Sequence, residues 1–222
     1  MSKGEAGSRK LVLPGEVISL RQRRAGQHLI FEEGKLIATR LGFLERRGDS
    51  YVVLPIKGPY IPRVGDRVVG KVIEFSPFGW ELDINSPRPA FLPAREAWPD
   101  RRQGFSLGLG DLVYGKVMAY DRTRDPQVSL RGRGLGKIKE GELLRVNPMA
   151  MPRLIGRRGS LIELIRKATG TDIKAGQNGL IVITGSSDGV LRAMKILKTL
   201  ENDIYSVDLT GRTKQMLEEG AK

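Results

Sequence analysis

The stretch Leu154-Ile155-Gly156-Arg157-Arg158-Gly159-Ser160-Leu161-Ile162 leaves the chain few ways to fold locally. Apolar pairs flank a Gly-x-x-Gly turn, which reads as two short helices meeting at that turn. Pro152 suits the first turn of the first helix, where a missing N–H costs nothing. Gly156 and Gly159 allow a sharp turn and let a ligand's backbone come close. Ser160 is placed to cap the second helix, Leu161 to Ala168. The start of that helix offers free N–H groups and a positive dipole end, a seat for phosphate. Arg157 and Arg158 add two charges in the middle of the turn, and the combination suits a nucleic-acid backbone.

The flanking sequence fits around this junction. Glu142 to Val146 reads as a strand. Thr169-Gly170 stops the second helix, and Asp172 to Ala175 follows as a strand. Asn178-Gly179 is a strong hairpin signal, with Leu180 to Thr184 as the returning strand. Ser187 then opens a helix running to about Asn202, with Val190, Leu191, Met194, Leu197 and Leu200 at helical spacing. The order strand-helix-turn-helix-strand-strand-helix over residues 142–203, with Ile-Gly-Arg-Arg-Gly at the junction, resembles a type I KH domain. The resemblance implies that Gly156, Arg157, Arg158 and Gly159 clamp about four nucleotides of a single strand.

Charge agrees. The net charge is +13, and the segment Leu112 to Ala168 alone carries 13 Lys/Arg against 5 Asp/Glu. Such a clustered excess implies an anionic partner, nucleic acid first. There are no cysteines, which excludes disulfides, thiolate chemistry and zinc fingers. No apolar run approaches the ~20 residues of a membrane span, and Met1 to Ser8 lacks the apolar core of a signal peptide. The expectation is a cytoplasmic protein with a disordered start over residues 1–9 and no membrane contact.

Residues 62–131 read as a five-stranded OB-fold barrel. Val64 to Phe75 and Phe78 to Ile84 alternate apolar and polar residues, Leu82 and Ile84 sharing the face of Trp80. Ala90 to Pro93 is a short third strand, Gly110 to Asp121 nearly repeats Gly65 to Phe75, and Gln127 to Arg131 closes the set. The pattern resembles the OB-type RNA-binding domain named after ribosomal protein S-one. In that family bases stack on aromatics around Phe-Gly-x-Phe and on the third strand. Phe78 and Gly79 match, but Glu81 and Pro93 stand where further stacking groups would be. The resemblance assigns RNA contact to Phe78, with Trp80 beside it, and to Arg122 and Arg124 in the loop after Asp121. Trp80 and Phe75 read equally well as core.

Residues 10–61 alternate short strands and turns: Lys10 to Leu13, Glu16 to Leu20, Gly34 to Leu44 (a pair, or one strand bent at Gly42) and Ser50 to Ile56. Such a unit has few side chains for a core and is expected to lean on a neighbour. Arg21 to Arg24 reads as a solvated charge run, Glu32-Glu33 as a turn, residues 132–141 as a basic Gly-rich linker, and 204–222 as a tail with a short helix. Gly132-Arg133-Gly134-Leu135-Gly136 mimics part of a dinucleotide fingerprint but opens no helix. The fold class is therefore multidomain, β plus α+β: a small N-terminal β domain, an OB barrel and a KH domain.

Taken together, Leu13-Pro14-Gly15-Glu16, the barrel, and a KH unit carrying Gly176-Gln177-Asn178-Gly179 resemble the archaeal exosome RNA-binding cap family, counterparts of ribosomal-RNA-processing protein four. Polynucleotide phosphorylase tails use the two RNA modules in the opposite order. The resemblance implies three cap subunits on a hexameric ring of RNase-PH-like subunits. The N-terminal unit would dock to the ring, and single-stranded RNA would be threaded 3′ end first into a phosphorolytic chamber. It also implies that Gly176, Asn178 and Gly179 pack the KH unit against the barrel, and it leaves open whether the KH loop binds RNA. Nothing indicates catalysis or a cofactor: His28 lacks a partner motif, and Glu81 with Asp83 forms no metal site alone. The same modules could instead serve a free-standing RNA-binding regulator.

Overall fold

The structure, a computed structural model, describes residues 10–19, 24–97, 107–121, 123–203, 211–213 and 215–216, with the backbone alone at Arg47. The expected disordered start, most of the Arg21 to Arg24 run, Arg122 and most of the tail lie outside the described residues. The chain divides into two compact units, 1–58 and 59–222.

The first unit is two small sheets. Strands β1 (Lys10–Val12), β5 (Gly42–Arg47) and β6 (Ser50–Pro55) form one, in the order β1-β5-β6. Strands β2 (Val17–Ser19), β3 (Leu29–Glu32) and β4 (Lys35–Ala38) form the other, in the order β2-β4-β3. The Gly34 to Leu44 stretch is thus a pair of strands in different sheets, parted at residues 39–41. Strand β3 had no clear sequence signal: Ile30 and Phe31 are both exposed, so no alternation marks it. The core is small, built on Val12, Leu29, Leu36, Ala38 and Val53. Leu11, Leu13, Val17, Ile30, Phe31 and Leu41 are all exposed.

In the second unit, β7 (Arg67–Ser76), β8 (Gly79–Asp83), β9 (Ala90–Pro93), β10 (Leu112–Asp121) and β11 (Arg124–Ser129) close a barrel. The closing contacts are β10 against β11 and the parallel pairing of β11 with β9. A short helix, α1 (Ala94–Ala97), follows β9. The near-repeat in sequence is a near-symmetry in space. Gly65 N donates to Val117 O and Val117 N to Asp66 O, both at 2.8 Å; Gly110 N donates to Val72 O and Val72 N to Asp111 O, both at 2.9 Å. The two strands pair antiparallel with Val69 opposite Tyr114 at the centre of this repeat.

Residues 132–141 depart from the expected linker. Gly136–Ile138 is a strand, β12, paired with Leu112 to Tyr114 on the part of the β10 edge that β11 does not reach. Its apolar residues Leu135 and Ile138 pack between barrel and KH unit, and Lys137 pairs with Asp111 at 2.5 Å. An open strand edge and two apolar side chains hold the segment down.

The KH unit consists of β13 (Glu142–Arg145), α2 (Met151–Ile155), α3 (Ser160–Thr169), β14 (Asp172–Ala175), β15 (Leu180–Thr184) and α4 (Ser187–Asn202), with sheet order β13-β15-β14. Its strands alternate cleanly. Ile181 and Ile183 face the helices, while Leu180 and Val182 face the barrel. The helix-free face of the sheet meets Val69, Tyr114 and Ile138.

Asn178 secures this seam. It is fully buried, and its amide donates to Val69 O at 2.7 Å and Ile84 O at 2.8 Å while accepting from Val69 N at 3.3 Å. Asn85 Nδ2 donates to Asn178 O at 2.7 Å. Gln177 and Arg67 exchange two more bonds, Gln177 N to Arg67 O at 2.8 Å and Arg67 N to Gln177 Oε1 at 2.6 Å. Gly176 admits this approach, because a Cβ there would sit 2.7 Å from Val69 N. Tyr114 Oη donates to Ala175 O at 3.1 Å.

Asn178→Ala strands three buried backbone groups, and urea unfolding is expected to show a loss of about 3 kcal/mol. Asn178→Asp is expected to lose more stability as pH rises above about 4. A carboxylate, unlike the acid, has no proton to give the Val69 and Ile84 carbonyls, so burial raises its folded pKa.

Candidate nucleic-acid interface

The Gly-x-x-Gly turn is built as a strained, open corner. Gly156 has φ 77° and ψ 178°, a region open essentially to glycine, and a Cβ there would lie 2.9 Å from Leu161 N. Arg158 itself is left-handed at φ 53°, ψ 27°, a conformation costly for a non-glycine residue. Gly159, at φ 82°, takes the N-cap position. Ser160 is therefore the first helical residue, and its side chain does not cap α3 as expected. Arg157 and Arg158 are exposed and make no ion pair among the described residues. Arg166, by contrast, is held by Glu163 at 3.0 Å and Asp172 at 2.7 Å.

On the barrel, the β7–β8 hairpin separates two kinds of aromatic. Phe78 is 79% exposed and Phe75 66%. Trp80 faces inward with Leu82 and packs on the barrel core, its Nε1 donating to Leu107 O at 3.1 Å. Sequence reading missed Phe91. It lies on β9 opposite Glu81, half-buried, and its ring rim comes within 3.0 Å of where a Gly79 Cβ would be. The ring thus covers Gly79, next to Phe78. Only the β8–β9 register brings it beside the Phe-Gly hairpin, and no local motif marks that register.

The loop after β10 is shaped by Asp121, whose Oδ1 accepts from Thr123 N at 2.8 Å, from the Thr123 hydroxyl, and from Arg124 N at 2.9 Å. The Thr123 hydroxyl, chiefly, holds this carboxyl below its ordinary value. Arg124 is exposed at the edge of this turn, while Arg122 is outside the described residues. Gly176 and Asn178 are buried in the seam against Val69, whereas Gly179 is buried within the KH unit, its carbonyl accepting from Val146 N and its Cα side closed off by Val146 and Pro148. Asp83 is occupied, accepting from Asn85 N at 2.8 Å and pairing with Arg145 at 3.8 Å. Among the described residues no group of His, Asp and Glu could hold a metal ion, and no helix is long and apolar enough to cross a membrane.

An OB barrel joined to a KH unit defines a class, the multidomain nucleic-acid-binding proteins with S1-type and KH modules. Comparison with known proteins narrows it. A family model described as KH domain matches residues 142–199, and one described as Exosome complex component RRP40, S1 domain, matches residues 60–131. The chain is 39% identical over 221 residues to Exosome complex component Rrp4 of Nitrosopumilus maritimus (strain SCM1), covering 96% of this chain and 98% of the relative. It is 35% identical to Exosome complex component Rrp4 of Thermofilum pendens (strain DSM 2475 / Hrk 5), covering 95% and 93%. A crystal structure described as that of an exosome complex RNA-binding protein superposes with a TM-score of 0.64 at 31% identity, covering 74% of this chain and 98% of that one. The chain belongs to the Rrp4 family of exosome components.

The two neighbouring aromatics should part company on truncation. Phe78→Ala is expected to leave stability within about 0.5 kcal/mol, whereas Trp80→Ala removes an inward-packed indole and should cost about 3 kcal/mol. Urea midpoints of the two variants make the comparison.

Proposed function

We propose that the protein is a non-catalytic RNA-binding cap of an exosome. In this reading three copies sit on a hexameric ring of RNase-PH-like subunits, capture single-stranded RNA and pass its 3′ end inward for phosphorolysis. The observation that carries the reading is the fixed barrel–KH block. Its exposed groups, Phe78, Phe75, Arg124, Arg157 and Arg158, are of the kind that hold a strand by stacking and charge without reading its sequence. Phe91 widens the stacking platform, and Trp80 supports it from beneath. The strained Gly156–Gly159 turn opens the α3 N-terminus to a backbone phosphate. In the first unit, the six exposed apolar side chains around a small core offer a docking face for the ring.

Assembly is the decisive test. Mixed with RNase-PH-like rings, the chain should form a complex whose native mass corresponds to three copies per ring, and that complex should shorten tailed RNA more processively than the bare ring. A chain that binds RNA but ignores the ring would instead be a free-standing regulator. Alone, with labelled RNA and phosphate, it should produce no shortening.

Binding titrations on oligoribonucleotides test the surface itself. Phe78→Ala should cost about 1–3 kcal/mol of affinity. Replacing Arg122 and Arg124 together with Ala should flatten the log–log salt dependence by about 1.4, the value for two single-strand phosphate contacts. Arg157→Asp with Arg158→Asp should weaken long tails more than short ones, and unchanged affinity would make the KH unit a structural prop.

A further inference from the structure

The outer face of β7 and β10 carries a charge arrangement that packing does not explain. Arg67, Val69 and Lys71 on β7 lie opposite Lys116, Tyr114 and Leu112 on β10. The KH sheet covers the central pair, Val69 and Tyr114. At one end of the covered patch a cation stands directly across from a cation, Arg67 from Lys116. Both are exposed, and neither makes an ion pair among the described residues. Like charges at directly opposed positions destabilise a sheet.

The pair cannot relax by shifting the strand. Arg67 is gripped through both backbone groups by Gln177 of the KH hairpin. Its guanidinium also interacts with the Tyr114 phenol, opposing the upward pKa push that burial gives that group. The repulsion is therefore built in, at the point where barrel and KH unit join. An oxyanion between the two side chains would turn the repulsion into two charge-assisted hydrogen bonds. The same β10 strand leads from Lys116 to Asp121 and the exposed Arg124. A strand bound at that loop would thus meet Lys116 and Arg67 on its way to the KH unit.

We propose that Arg67 and Lys116 form a phosphate seat at the barrel–KH junction, which hands a single RNA strand from one module to the other. The proposal rests on the RNA-binding reading above.

The test uses the full chain and a short oligoadenylate, titrated between about 50 and 200 mM salt. Three forms are compared with wild type: Lys116→Thr, Arg67→Thr with Lys116→Thr, and Lys116→Glu. A structural cation pair and a ligand seat predict different combinations of results. Relief of repulsion should raise the melting temperature of both Lys116 single variants, most in Lys116→Glu, where repulsion becomes attraction; the double variant also gives up the Arg67–Tyr114 contact and is read for binding and salt slope alone. If the seat holds phosphate, all three variants should bind RNA several-fold more weakly, Lys116→Glu most. The double Thr variant should lower the salt slope by about 1.4. Gain of stability with loss of binding is the signature of the seat. Wild-type binding with unchanged affinity and slope in the folded variants overturns the seat alone. Loss of ring association with RNA affinity intact also overturns it, assigning the cations to an acidic protein surface. A wild type that ignores the oligoadenylate at low salt overturns the seat and the RNA-binding reading together.

Discussion

One buried carboxamide does most to make the second unit a single body. Asn178 gives both its protons to barrel carbonyls and takes the Val69 amide in return. An unpaired polar group buried this deeply would cost several times what a satisfied one contributes. The contact is therefore directional: a small rotation of the KH unit would orphan groups on both sides at once. Apolar burial by Leu180, Val182 and Tyr114 supplies attraction, but it has no preferred orientation. The hydrogen bonds choose one among many greasy placements.

The place chosen follows from the barrel's internal near-symmetry. Strands β7 and β10 carry matching Gly-Asp turns, and their hydrogen bonds map onto one another through the Val69–Tyr114 pair. That central pair presents small Val69, with both backbone groups available, beside large Tyr114. A flat sheet face can lie over such a site while a hairpin reaches Val69. The repeat is broken where function or packing needs it. Asp66 accepts from buried Tyr60 at 2.7 Å, whereas its counterpart Asp111 pairs with Lys137 of the added strand β12.

Docking of this kind constrains what the KH unit can do. Its β14–β15 hairpin is committed to the barrel, so one side of the KH unit carries no free loop. The opposite corner keeps its strain: Arg158 holds a left-handed backbone, and Gly156 an extended one with positive φ. Such conformations persist only when the surroundings enforce them, here Leu154 and Leu161, which anchor the helices on either side in the KH core. The molecule thus trades one KH surface for rigidity and retains another as a charged corner.

What could be read in advance divides by range. The KH elements were legible because each carries a local mark: Asn178-Gly179 for the hairpin, Gly170 as a left-handed helix end, and 3.6-residue spacing in α4. The closed barrel was legible from its repeated Gly-Asp strands. The strand β12 was not, since its three residues become a strand only because part of the β10 edge stands open. Ser160 shows the same limit at one residue: a serine before an apolar run is a good cap signal, yet Gly159 reaches the left-handed conformation first. Asn178 marks a turn by its neighbour, but its bonding partners lie 109 and 94 positions away, and no local pattern names them. Trp80 and Phe78 share a strand parity and differ by where the hairpin ends: Phe78 lies in the turn before β8, whereas Trp80 is inside the strand, paired with buried Leu92. The residues that hold the modules together are set by pairings across the whole chain, whereas the exposed cations and aromatics announce themselves by composition. A surface of this sort is easier to find from sequence than the scaffold that aims it.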